Sequence, residues 1–155
     1  MSDEFKVWFN GQLKPFEDCK VSVRSHAIHY GSSVFEGIRV YETPEGPRVF
    51  RLTDHLKRFF WSASVYRIPV KWSPDEMHAA CRETVTANGL ASAYLRPVAF
   101  RGDCGLGLMP GDINATETAI IVAEWGTYLG EGVLEQGVEV CVSSWQRVAP
   151  NTIPA

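Results

Sequence analysis

The chain has 155 residues, 45% of them hydrophobic and 21% charged, which suits about one globular domain with room for a single sizeable core. Its net charge of -3 supplies no basic field to hold nucleic acid or an anionic membrane, and no apolar run is long enough to span a bilayer. Met1-Ser2-Asp3-Glu4 lacks the basic start and apolar stretch of a signal peptide, and Cys19, Cys81, Cys104 and Cys141 form no C-x-x-C pair, so reduced thiols in a cytoplasmic protein fit best.

Taken in order, Val7 to Lys14 reads as a hairpin, because Asn10-Gly11 between apolar residues is a strong short-range hairpin signal. Val21 and Val23 alternate as a short strand. Ser25 is placed to cap a helical turn through His26 to Tyr30. Gly31-Ser32-Ser33 then opens into a strand from Val34 to Tyr41. Thr43-Pro44-Glu45-Gly46-Pro47 is a turn, and Arg48 to Leu52 returns beside that strand. Thr53 is the expected cap of a first long helix, with Asp54 in its first turn and an apolar stripe of Leu56, Phe59, Phe60 and Ala63. Pro69 marks the limit of that helix. A second helix has Ser73 as cap and Pro74 at its first position. Its stripe is Met77, Ala80, Cys81, Thr84 and Val85, and Asn88-Gly89 ends it. Ala93 to Phe100 is a strand, Arg101 to Asn114 a glycine-rich loop, and Ala119 to Trp125 an interior strand. Gly126 to Gly130 reads as a linker, Gly137 to Trp145 as a valine-rich strand, and the chain closes on Pro150-Asn151-Thr152-Ile153-Pro154-Ala155. The expected fold is therefore α+β, an antiparallel sheet with two helices. The expected organisation is a small domain over 1–127, a linker over 128–136, and an incomplete second domain over 137–155.

The strand from Val34 to Tyr41 breaks local rules twice. Period-2 alternation puts Val34, Glu36, Ile38 and Val40 on one face and Phe35, Gly37, Arg39 and Tyr41 on the other. A carboxylate among branched aliphatics is costly to bury unless paired, and a mid-strand glycine admits close approach of a ligand or backbone. Such breaks are characteristic of functional sites; the other reading is a half-exposed edge strand with Glu36 in water. Arg58, off the apolar stripe of its helix, is either solvated or able to grip a phosphate with its planar fork. Tyr94 and Arg96 share a strand face, about 7 Å apart. They suit a carboxylate, or else a cross-strand pairing with Glu36. Gly102-Asp103-Cys104-Gly105-Leu106-Gly107 is followed by no helix and is not a dinucleotide loop. His26 and His29 lack a third metal ligand, and no G-x-S-x-G elbow is present.

Longer motifs narrow these choices. Trp8-Phe9-Asn10-Gly11, His26 through Arg39, His55-Leu56-Lys57-Arg58, Ser92 through Pro97, Trp125 through Gly130 and Ser143 through Pro154 resemble branched-chain amino acid aminotransferase, a pyridoxal-phosphate enzyme of the fold-type IV group. The shorter stretches, Phe35 to Arg39 and His55 with Arg58, are shared with D-amino acid aminotransferases and aminodeoxychorismate lyase. The resemblance implies the small N-terminal domain of that fold, with Arg58 on the phosphate of pyridoxal 5'-phosphate. It implies Phe35, Gly37, Tyr94 and Tyr128 around the substrate side chain, Arg96 placing the carboxylate, and Tyr30 reaching into the substrate site of the neighbouring subunit. The Gly105 to Met109 segment, with Leu108, would be an interdomain loop over the substrate. It also implies amino acids and 2-oxo acids as small-molecule partners, and a dimer or hexamer of like subunits. The family's Schiff-base lysine follows the Asn151-Thr152-Ile153-Pro154 segment, and none of Lys6, Lys14, Lys20, Lys57 or Lys71 lies in a matching context. Three expectations follow: transamination of leucine, isoleucine and valine with 2-oxoglutarate in an intact enzyme; a non-catalytic binding or dimerisation module; or a relative acting on D-amino acids.

Overall fold

A computed structural model describes residues 5–125 and 132–149. The chain divides into two compact units, Met1–Glu124 and Trp125–Ala155.

The first unit is built on an antiparallel sheet. Its strands are β1 (Lys6–Phe9), β2 (Gln12–Pro15), β3 (Ser33–Phe35), β4 (Ile38–Tyr41), β5 (Arg48–Val49), β6 (Ala93–Arg101) and β7 (Thr116–Glu124), in the order β2-β1-β7-β6-β4-β5 with β3 also on β6. The helices are α1 (His26–Tyr30), α2 (Leu52–Val65) and α3 (Pro74–Asn88). Asn10 and Gly11 both take positive φ, 50° and 91°, the backbone a two-residue hairpin turn requires. At α3 every signal agrees: Ser73 and Glu76 form a reciprocal capping box, Pro74 opens the helix, and Gly89 closes it in the left-handed region. The five stripe residues Met77, Ala80, Cys81, Thr84 and Val85 are all buried. Burial pushes the Cys81 thiol up to about 12, so it packs as a small apolar group.

Helices α2 and α3 cover one face of the sheet. Leu56, Phe59 and Ala63 meet Met77, Ala80 and Val85 over Val34, Ile38, Val40, Leu95, Ile120 and Val122. The strand expected over Val34 to Tyr41 is divided into β3 and β4 at Glu36-Gly37. Both halves keep one register against β6, from Ser33↔Phe100 to Val40↔Ala93. The interruption has a local cause. Glu36 N–H donates to the Pro97 carbonyl at 3.0 Å, but the Pro97 nitrogen has no hydrogen to return, so the reciprocal ladder bond cannot form.

Four expectations are corrected. Val21 and Val23 form no strand and are exposed. Ser25 precedes α1 without a side-chain cap; its Oγ donates to the Arg101 carbonyl at 2.7 Å instead. Helix α2 begins at Leu52, with Arg51 as its N-cap in the left-handed region, so Thr53 lies inside the first turn. Gly137 to Trp145 contains no strand. In the second unit α4 (Val133–Gln136) leads into an irregular stretch in which Val140, Val142 and Trp145 are exposed. A strand persists only when its backbone finds a partner, and this segment has no ladder among the described residues. Val138, Val140 and Val142 instead expose apolar side chains to water. The 155-residue chain is accordingly expected to self-associate at high concentration, which sedimentation velocity measures. A monodisperse monomer would contradict this.

Arg101 is a buried cation without an acidic partner among the described residues. It closes α2 instead: Nη2 donates to the carbonyls of Tyr66 (3.3 Å) and Arg67 (2.6 Å), and Nη1 to that of Ile113 (3.0 Å). Arg67 is itself held at φ 52°, a conformation costing a non-glycine residue about 1–2 kcal/mol. Arg101→Met is expected to lose about 2–4 kcal/mol by urea unfolding, since charge-assisted bonds to several buried carbonyls are left unmade.

Candidate active site

Two groups of side chains converge on the β3–β4 junction, one on each face of the sheet. On the helix side, Glu36 projects towards α2 and is only 3% exposed. Arg58 Nε donates to Oε1 at 2.6 Å and Nη2 to Oε2 at 2.5 Å, a planar two-point contact. His55 Nδ1 lies 2.9 Å from Oε2. His55 and Arg58 are one helical turn apart on α2, so both reach the same carboxylate. Burial alone would push the Glu36 carboxyl up. The hydrogen bonds from Arg58 and His55, with their charge, outweigh it and hold Glu36 below the ordinary carboxylate value. The same bond raises Arg58. Glu36 is therefore neither a solvated edge residue nor a partner of Tyr94 and Arg96.

Two of the guanidinium's five N–H donors are engaged by Glu36, and the Arg58 side chain is 65% exposed. A buried acid thus fixes the plane of an exposed cation whose remaining donors are uncommitted among the described residues.

On the other face, Gly37 lies against Tyr94. A Cβ added at Gly37 would overlap the Tyr94 hydroxyl and lie 2.9 Å from Cζ. The glycine is thus required as a seat for that ring. Arg96 Nη2 donates to the Tyr94 hydroxyl at 2.9 Å. The Arg96 guanidinium stacks 4.6 Å from the Phe35 ring centre and 5.1 Å from that of Tyr94. Phe35 and Arg96 are exposed. The result is an open platform with two aromatic rings, one hydroxyl and one cationic fork.

Tyr30 and Leu108 form a second group. Tyr30 Oη donates to the Leu106 carbonyl at 2.7 Å, and His26 bridges Ser32 Oγ (2.8 Å) and the Leu108 carbonyl (3.3 Å). Leu106, Leu108 and Met109 project outward, as do Ile28 and Tyr30 on α1. The resemblance implies that Gly105 to Met109 is an interdomain loop over the substrate. The segment belongs to the first unit, as the connection of the β6–β7 hairpin, whose ladder runs to Arg101↔Thr116. Tyr128 lies outside the described residues, as do the expected linker through Gly130 and the Asn151 to Pro154 segment. The sequence reading missed His55 as a partner of Glu36. Its spacing of three from Arg58 was the available signal.

Comparison with known proteins identifies relatives of this chain. The family profile described as amino-transferase class IV matches residues 33–155. The chain is 52% identical over 148 residues to the branched-chain-amino-acid aminotransferase of Escherichia coli K12, covering 96% of this chain and 48% of that protein. A crystal structure of the Escherichia coli enzyme superposes with a TM-score of 0.91 at 52% identity, over 96% of this chain and 49% of the other. That of the T.th. branched-chain amino acid aminotransferase with pyridoxamine 5'-phosphate gives 0.88 at 46% identity, over 96% and 49%. The chain spans about half the length of the curated relatives it matches.

Proposed function

The chain belongs to the class IV aminotransferases, and on that premise we propose that it forms the substrate-side part of an enzyme moving amino groups between branched-chain L-amino acids and 2-oxoglutarate. The observation that carries the proposal is the pairing of the two faces: a fixed, exposed guanidinium on one and an open aromatic platform on the other.

The cofactor implied by the family is pyridoxal 5'-phosphate, and one relative holds its pyridoxamine form. The residues here fit its phosphate, because Arg58 is held in plane by Glu36 and keeps donors for a second anion. When bound, that group supplies the electron sink for removal of the α-proton. The platform does the rest of this chain's work. Phe35 and Tyr94 offer apolar walls to leucine, isoleucine or valine, and burying such a side chain contributes about 1.5–3 kcal/mol, enough to prefer it over alanine. Arg96 and the Tyr94 hydroxyl place donors where a substrate carboxylate can be oriented. Tyr30 and the exposed tip at Leu106, Leu108 and Met109 are assigned to contact with a second copy of the chain in a homo-oligomer. The fold thus binds and orients, and the reacting amine is assigned to no lysine among Lys6, Lys14, Lys20, Lys57 and Lys71.

The test uses a protein carrying these 155 residues together with the remaining half of a class IV aminotransferase. It is expected to transaminate L-leucine, L-isoleucine and L-valine with 2-oxoglutarate, and Phe35→Ala to raise KM for leucine by about tenfold. Faster turnover of D-alanine than of L-leucine would overturn the substrate assignment. Absence of transamination with any amino acid would leave a binding module in its place.

A further inference from the structure

We propose that the groove between β5, the start of α2 and α3 is a second anion site, separate from Arg58, that takes a phosphate dianion or a phosphomonoester. A pocket of about 210 Å³ there is lined by Arg48, Val49, Leu52, His78, Arg82 and Thr86, among others. His78 and Arg82 lie one turn apart on α3 and so share a face, while Arg48 enters from β5. Three basic side chains thus meet in one pocket of a chain whose net charge is -3. None of the three makes a hydrogen bond or ion pair among the described residues.

An isolated surface arginine is ordinarily just solvated. Two forks and an imidazole lining one cavity are different, since guanidinium charges held around one pocket oppose one another unless an anion sits between them. Asp75 is the acid that borders the adjoining groove, which also contains His78 and Arg82, yet among the described residues no carboxylate lies within ion-pair distance of Arg82. Leu52 opens the 14-residue α2 beside the pocket, but Asp54 in that helix's first turn, paired with Arg51, offsets its positive end, so the three basic side chains carry the site.

The chemistry selects the class of anion. Two guanidinium forks can each contact two oxygens. A tetrahedral dianion offers enough oxygens for both, whereas a monocarboxylate offers two oxygens and one charge. The assignment does not depend on the transaminase reading, because none of its residues belongs to that site.

The test is a titration of the isotope-labelled 155-residue chain, followed by amide NMR, with sodium phosphate against sodium chloride at matched ionic strength and fixed pH. Phosphate is expected to give saturating shifts at Val49, Leu52, His78 and Thr86. The Arg48→Gln/Arg82→Gln double variant should bind at least about tenfold more weakly. Both arginines are exposed, so the variant should keep the wild-type spectrum elsewhere. A parallel titration with glycerol phosphate separates the sources: tighter binding than inorganic phosphate assigns an ester, weaker binding the free ion. A second measurement needs no variant: phosphate should slow phenylglyoxal modification of Arg48 and Arg82 but not of Arg24, which pairs with Asp103 on another part of the surface. Shifts that fail to saturate, that chloride reproduces, or that persist in the double variant would overturn the site, as would equal protection of Arg24.

Discussion

Arg58→Ala is expected to destabilise the fold by about 2–3 kcal/mol in urea unfolding at pH 7, although Arg58 lies on the surface. The cost arises at its partner. Glu36 is almost fully buried, and removing the two-point contact leaves its carboxylate, among the described residues, with the His55 contact alone. Breaking a buried pair by deleting one member costs about 3–5 kcal/mol; the exposure of Arg58 and the surviving His55 bond place this case lower. Glu36→Gln in the Arg58→Ala background should recover part of the loss, because a neutral amide is cheaper to bury than an unpaired carboxylate.

The pH dependence follows from the direction of the shift. Glu36 is held below its unfolded value, so its contribution is fully present above about pH 4.3, the ordinary glutamate value. It is lost as pH falls from there through the folded value. The wild-type chain should lose stability over that acid range, and Glu36→Gln should flatten this limb. An Arg58→Ala penalty below about 1 kcal/mol, in the range of an ordinary surface pair, would show that Glu36 is not buried against it.

Gly37→Ala is expected to disable substrate orientation with a smaller effect on the fold. The added methyl would overlap the Tyr94 hydroxyl and press on the ring at Cζ and Cε2, so Tyr94 must swing away from the strand. Arg96 then loses the hydroxyl that accepts its bond, and the stacked array with Phe35 loses one wall. Overpacking costs about 1–3 kcal/mol, here in the lower half because the platform is open on its outer side. A displacement near 1 Å at a positioning group costs turnover about 10²-fold, read as leucine transamination in the longer protein described above. Tyr94→Ala should make the Gly37→Ala change nearly neutral for stability, a coupling that a double-mutant cycle measures. If Gly37→Ala is equally damaging with and without Tyr94, the glycine serves some other purpose than seating that ring.

The sequence was most informative where one local rule acts alone. The Asn10-Gly11 hairpin, the α3 cap at Ser73-Pro74 and the α3 stripe are all local, and all hold in the structure. The alternation in Val34 to Tyr41 was legible too, because the side-chain period of a strand is fixed by its pleat. It assigned Glu36 to the aliphatic face and Phe35 and Gly37 to the other.

What it left open was decided by groups distant in sequence. Whether Glu36 met water or a cation depended on α2 lying over that face, which brings His55 and Arg58 to the carboxylate from 19 and 22 residues away. The break between β3 and β4 depended on Pro97 arriving opposite Glu36. Ser25 kept the position of a cap but spent its hydroxyl on Arg101, 76 residues away. The valine-rich stretch from Gly137 read as a strand because propensity is local, yet a strand forms only against a neighbour. Residue type and spacing thus determined which side chains could serve a site. Only the packing of α2 against the sheet determined which charges meet, because the free energy of a buried charge is set by its surroundings and not by its place in the chain.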